Sequence, residues 1–91
     1  MRVMVHQRVC QRHRELTVHD VVTAWLNSTN VTLRTDSPNF PEYVCTGHDS
    51  KGRSIEMVAV MVDEGILIYH AMTPPSKATL REIKRTRRRL R

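Results

Sequence analysis

Three side chains able to move protons lie within one largely apolar stretch. From Arg53 to Met72 the chain reads RSIEMVAVMVDEGILIYHAM, with Glu56, Tyr69 and His70 among aliphatic neighbours. Histidine changes protonation near neutral pH, and His70 ends a strand-like run just before a basic segment, so it is the sharpest candidate for general acid–base work. The alternative for His70 is a partly buried ring hydrogen-bonded to a neighbouring strand or to Thr73. An unpaired carboxylate among apolar residues is costly. Glu56 therefore predicts either a salt bridge to Arg34 or Arg81, or a general base. Tyr69 is either a proton donor or a core aromatic with its hydroxyl at the rim. A few residues further on, Lys77 and Arg81 stand one helical turn apart and could together clamp one phosphate, or could simply be solvated.

The elements that must position these groups are readable from pattern. Two β-branched-rich runs separated by Asp63-Glu64-Gly65 predict an antiparallel hairpin covered on both faces. A turn at Glu64-Gly65 places Val60 opposite Tyr69 and Ala59 opposite His70. Alternation then puts Glu56, Val58, Val60, Leu67, Tyr69 and Ala71 on one face of the sheet, and Ile55, Met57, Ala59, Met61, Ile66, Ile68, His70 and Met72 on the other.

Upstream, Arg2 to His6 reads as a short first strand or as the lead into a helix. His6 to His13 favours helix. Thr17 is a helix N-cap with Asp20 completing a capping box. Behind it Val18, Val21, Val22, Trp25 and Leu26 form an amphipathic stripe with Trp25 in the core. Val31 to Thr35 reads as an edge strand, Asp36 to Pro41 as a loop, and Glu42 to Gly47 as a further strand. Asp49 to Gly52 is a hairpin connection with Gly52 suited to a left-handed position. After Pro74-Pro75-Ser76 a helix is expected over Ala78 to Leu90, its thin apolar face formed by Ala78, Leu80, Ile83 and Leu90 and its last turn frayed. The order predicts an α+β domain spanning residues 1–91: two N-terminal helices, a four-stranded antiparallel sheet and a basic C-terminal helix, in two layers.

With 91 residues, 40% hydrophobic and 26% charged, the chain is expected to be one folded domain rather than a disordered segment. No run of roughly 20 apolar residues exists to span a membrane, and Met1-Arg2-Val3 shows no signal peptide. Cys10 and Cys45 have neither metal nor disulfide-framework spacing, so a reduced cytoplasmic protein without metal or other cofactor is the expectation. The net charge of +6 is uneven: residues 77 to 91 hold eight Lys or Arg against one Glu, leaving the remainder near −1. Such a run suits a phosphate backbone, an acidic protein partner or a solvated helix end.

Layout and local motifs together resemble the RelE/ParE-like toxin superfamily, especially its BrnT-type branch. His6…Arg14-Glu15-Leu16-Thr17 followed by Val18 to Leu26 resembles that family's first helix, break and second helix. Tyr43 to Gly47, then Ile55-Glu56-Met57-Val58, resembles its central strands. Leu67-Ile68-Tyr69-His70-Ala71-Met72 resembles its last strand, and Pro74-Pro75-Ser76-Lys77 with Leu80-Arg81-Glu82 its closing basic helix. Glu15 stands where relatives usually carry Gly, and Cys10 where many carry Arg. The resemblance implies a toxin that is a messenger-RNA endonuclease, ribosome-dependent or free and acting without metal, or else a gyrase poison; it would be neutralised by a cognate antitoxin and form a homodimer or a hetero-oligomer with it. On that reading His70, Tyr69 and Glu56 are the catalytic candidates, and Arg34, Lys77, Arg81, Lys84 and Arg85 the RNA contacts. A surface bearing Met57, Met61 and Met72 would take the antitoxin helix. The alternative is a noncatalytic RelE-like module that binds nucleic acid or protein.

Overall fold

The computed structural model describes residues 2–34 and 41–89, with side chains described to residue 86. Its elements run β1 (Arg2–Val5), α1 (Gln7–Arg12), α2 (Val18–Leu26), β2 (Thr32–Arg34), β3 (Glu42–His48), β4 (Ser54–Val62), β5 (Gly65–Met72) and α3 (Lys77–Arg89). The strands make one sheet in the order β1-β5-β4-β3-β2. The domain is α+β as expected, but the sheet has five strands and is mixed. Arg2 to Val5 is a strand, and it pairs parallel to β5 in the register Arg2↔Gly65 to Val5↔Ile68.

The local signals explain α2. Thr17 accepts from the Asp20 amide at 3.1 Å and the Asp20 carboxylate accepts from the Thr17 amide at 2.9 Å, the reciprocal capping box that satisfies two orphan donors. Behind this cap Val21 and Ala24 are fully buried. They meet Val9 of α1, Leu16 of the connection between the two helices, and Cys45, Ile55, Met57, Ala59, Ile66, Ile68 and Ala71 from one face of the sheet, with Trp25 and Tyr43 partly buried against them. Gly47 is where α2 comes nearest: a Cβ there would overlap the Ala24 carbonyl. The strand backbone reaches the helix only because that side chain is absent.

The hairpin forms, with a different register. Val62 pairs with Gly65, so Asp63-Glu64 is the two-residue turn, and Gly65 takes a φ of +143° as the first residue of β5. Ladder pairs run Met61↔Ile66, Val60↔Leu67 and Ala59↔Ile68, then jump to Val58↔His70, Met57↔Ala71 and Glu56↔Met72. Tyr69 is the extra residue of a β-bulge. A one-residue insertion reverses the facing of everything beyond it. The expected faces therefore change after the bulge: His70 and Met72 join Glu56, while Ala71 turns into the core. Met57 and Met61 lie on the face opposite Met72, so the three methionines do not line one groove.

α3 lies on the Glu56 face, opposite α1 and α2, so the domain has helices on both sides of the sheet rather than the expected two layers. Its inward residues are Ser76, Thr79, Glu82, Ile83 and Thr86. Thr79 and Ile83 are buried, whereas Ala78 and Leu80, expected to pack, are exposed. The surface beneath α3 is partly polar, and the helix faces it with hydroxyls. Leu90 and the Asp36–Phe40 part of the expected loop lie outside the described residues.

The β3–β4 connection is fastened by charge. Arg53 donates to Asp49 at 2.8 Å, to Asp20 at 3.1 Å and to the Glu15 carbonyl at 3.0 Å. Gly52 takes a φ of +79°, as expected. Burial pushes the Asp49 carboxyl up, but backbone and Arg53 bonds outweigh it and hold it below the usual range. Asp20 is likewise lowered, first by the Thr17 amide. A lowered folded-state pKa gives stability that is complete above the unfolded value of about 3.9 and is lost as pH falls through the folded value. Replacing Arg53 with Met is expected to move the acid-unfolding transition, followed by circular dichroism, to higher pH. An unshifted transition would mean that the clamp adds nothing.

Candidate functional site

The bulge places His70 beside Glu56. His70 Nε2 lies 2.8 Å from Glu56 Oε2, while Oε1 accepts the Ser76 amide at 2.7 Å. The carboxylate is 4% exposed. Burial raises its pKa, but the Ser76 amide, His70 and the hydroxyls of Ser76 and Thr79 outweigh this and leave it lowered, hence ionised. An ionised carboxylate only accepts. Nε2 must therefore carry the hydrogen, and in neutral His70 the lone pair sits on Nδ1. The imidazole is about one-third exposed. Glu56 thus does not pair with Arg34 or Arg81 as expected; the α3 N-terminus takes that part. Ser76 caps the helix, its hydroxyl accepting from the Thr79 amide at 3.2 Å.

Tyr69 reaches along the same face. Its hydroxyl donates to Glu42 Oε1 at 2.7 Å, and the Arg8 guanidinium stands 5.9 Å from its ring centre. Burial and the Glu42 carboxylate push the phenol up to about 12, against the opposing charges of Arg34 and Arg8. At neutral pH it holds its proton and can donate but not act as a base. Tyr69→Phe is expected to cost about 1.5 kcal/mol, the low end for a hydrogen bond to a charged group because Glu42 keeps its Arg34 contact and some solvent, measured by urea unfolding. No loss would mean that Glu42 is satisfied by Arg34 alone.

Arg34 is committed elsewhere. It grips Glu82 through two bonds of 2.7 Å each and Glu42 through one of 3.2 Å, joining β2, β3 and α3. A guanidinium in a bidentate pair plus a third contact has a structural role, tying these three elements together. Lys77, Arg81, Lys84 and Arg85 are all exposed. Their spacing of i, i+4, i+7 and i+8 gathers them on the outward face of α3.

His13 was not among the proton-transfer candidates read from the sequence. It caps the C-terminus of α1, and its ring stands edge-on to His70 with centroids 6.4 Å apart. Its Nδ1 is 3.6 Å from Glu15. Ser76, Thr79, Glu42 and Glu82 were also passed over as partners. Ser76 had a local signal, a hydroxyl residue directly before a helix; the others are joined to the site only by the fold.

Among the described residues no three His, Cys, Asp or Glu side chains converge as a metal site, and every buried side-chain N or O has a hydrogen-bond partner. Cys10 and Cys45 are free thiols, and burial pushes Cys45 up to about 11. No described helix is long and apolar enough to cross a membrane. No family model, no curated protein and no solved structure matches the chain.

Proposed function

We propose that this protein is the toxin component of a toxin–antitoxin pair, a metal-independent endoribonuclease that cleaves messenger RNA and so inhibits translation. The observation that carries this reading is the buried, ionised Glu56 holding His70 in one tautomer, at the foot of a helix whose outward face bears Lys77, Arg81, Lys84 and Arg85. RNA cleavage without metal needs a base for the 2′-hydroxyl, positive charge at the phosphate and a proton for the leaving oxygen. His70 Nδ1 serves as the base. Glu56 orients the ring and balances the charge of the imidazolium formed. The α3 cations hold the RNA backbone by charge rather than by sequence. Tyr69, protonated and bound to Glu42, fixes the bulge rather than moving a proton. The resemblance of the chain to RelE/ParE-like toxins supports the same reading, with a cognate antitoxin as the second partner.

One observation favours a noncatalytic module. Glu56 is completely bonded and pins the start of α3 to the sheet, a job that needs no chemistry. Induction in a bacterial host separates the two readings. Wild type is expected to arrest growth and create new messenger-RNA ends mapped by primer extension. His70→Ala and the Lys77→Ala/Arg81→Ala pair are expected to lose both effects with unchanged circular dichroism. Normal growth and intact RNA at confirmed wild-type expression would discard the nuclease in favour of the binding module.

A further inference from the structure

We infer that His13 is the second half of the catalytic pair, the general acid that protonates the 5′-oxygen leaving group. This inference rests on the ribonuclease reading and assigns the one chemical role that reading leaves open.

Transesterification at an RNA phosphodiester has two proton transfers on opposite sides of the phosphorus. One group takes the proton of the 2′-hydroxyl as that oxygen forms its bond to phosphorus. Another gives a proton to the 5′-oxygen as its bond to phosphorus breaks. The products are a 2′,3′-cyclic phosphate and a 5′-hydroxyl, and the proton count balances without water, metal or any co-reactant. Attacking and leaving oxygens lie roughly in line, so a single side chain reaches both poorly. Two imidazoles flanking one phosphate meet the need.

The structure assigns the second imidazole by placement. His13 and His70 come from opposite ends of the sequence, yet their ring centres are 6.4 Å apart with planes at 89°. That separation brings both rings within reach of one phosphoryl group. Each ring has a carboxylate beside it: Glu56 at 2.8 Å for His70, Glu15 at 3.6 Å for His13. The two are not equivalent. Glu56 is buried and bonded on both oxygens, which locks His70 as the fixed member and the base. Glu15 is exposed, leaving the His13 ring, about one-third exposed itself, free to follow a leaving oxygen. Arg12 and Arg14, both exposed, bring positive charge from the α1 side, opposite the cations of α3. Tyr69, the other phenolic candidate, is spent on Glu42.

Two substrates separate an acid from a mere packing contact: a short oligoribonucleotide, and a ribonucleoside 3′-(4-nitrophenyl phosphate), whose leaving group departs without protonation. His13→Ala and His13→Gln are expected to cut the oligoribonucleotide 10²- to 10⁴-fold more slowly, the usual worth of one general acid. Both should process the nitrophenyl ester within a few-fold of wild type, while His70→Ala loses both substrates. Wild-type rates on the oligoribonucleotide from the folded His13 variants would overturn the assignment and leave the nuclease reading standing. Equal losses on both substrates would also overturn it, by making His13 a positioning or structural residue. Inactivity of wild type on both substrates would overturn the assignment together with the nuclease reading.

Discussion

On the proposed ribonuclease function, Glu56→Gln is expected to lower RNA cleavage by 10²- to 10⁴-fold while leaving the protein folded. The carboxylate accepts two hydrogen bonds on two different oxygens, from the Ser76 amide and from His70 Nε2. A carboxamide has one acceptor and one donor of the same shape. With its oxygen toward Ser76, its NH₂ meets Nε2, and the ring must move its hydrogen to Nδ1, the atom that has to be bare to act as a base. With its oxygen toward His70, the NH₂ faces the Ser76 amide and leaves a donor against a donor. The first arrangement loses the tautomer, and an Asp-to-Asn change with that effect in a serine-protease triad lowers turnover about 10⁴-fold. The second costs about 1–3 kcal/mol, the penalty for a buried unsatisfied donor. Initial rates on an oligoribonucleotide together with urea unfolding at pH 7 would read both. Full activity in the folded variant would reduce the Glu56–His70 pair to a structural clasp. The pH response adds an independent check. The folded-state pKa of Glu56 is lowered. Its contribution to stability is therefore complete above the unfolded value near 4.3 and is lost as pH falls through the folded value. In Glu56→Gln that portion of the acid sensitivity should vanish.

Gly47→Ala is expected to be strongly destabilising for the gain of a single methyl. In an ordinary strand the change would gain stability by stiffening the unfolded state. Here the added Cβ would run into the Ala24 carbonyl and approach Ser28 Cα. Both are backbone atoms, which cannot rotate away like the end of a side chain. To admit the methyl, α2 must lift from the sheet, and it carries Val21 and Ala24, both with no exposed surface, out of the main core. Overpacking usually costs 1–3 kcal/mol. With backbone as the obstacle, about 3 kcal/mol or more is expected, seen as a lower urea midpoint and a changed near-ultraviolet signal from Trp25 on the same helix. A midpoint equal to wild type would show that α2 docks more loosely than this geometry implies.

Local chemistry was legible in the sequence, and long-range chemistry was not. Thr17 and Asp20 announce α2 because cap and helix are neighbours in the chain. The hairpin of β4 and β5 is equally clear from its apolar runs and central Asp63-Glu64-Gly65. Its register is not, because a bulge has no signature when the inserted residue, Tyr69, is as good a strand former as its neighbours. That one residue decides which face His70 takes, so the pairing with Glu56 was invisible although both were singled out. Arg34 was matched with Glu56 or with RNA because its main partner, Glu82, is 48 positions away. The inner face of α3 was only partly anticipated, for a related reason: Ile83 is buried as expected, but Ala78 and Leu80 are not. Its hydroxyls pack inward over Glu56, whereas a hydrophobic criterion selects Leu80. The first strand stayed ambiguous because four residues that pair in parallel with a distant strand carry no local mark of it.

That parallel pairing sets an order of events when the protein is made. Arg2 to Val5 are made well before their partners, Gly65 to Ile68, which follow only after about 60 further residues. At roughly 5–20 residues per second, that delay is about 3–12 s. Val9, Leu16, Val21 and Ala24 wait with them, since the sheet face that buries them includes Ile55, Met57, Ala59 and Ile68. The segment from β1 to α2 therefore lacks its sheet face until the hairpin arrives, and β1 can join the sheet only after β5 is made. A ribosome stalled before Gly65 would display an apolar, unsealed chain, a natural target for chaperones and proteases.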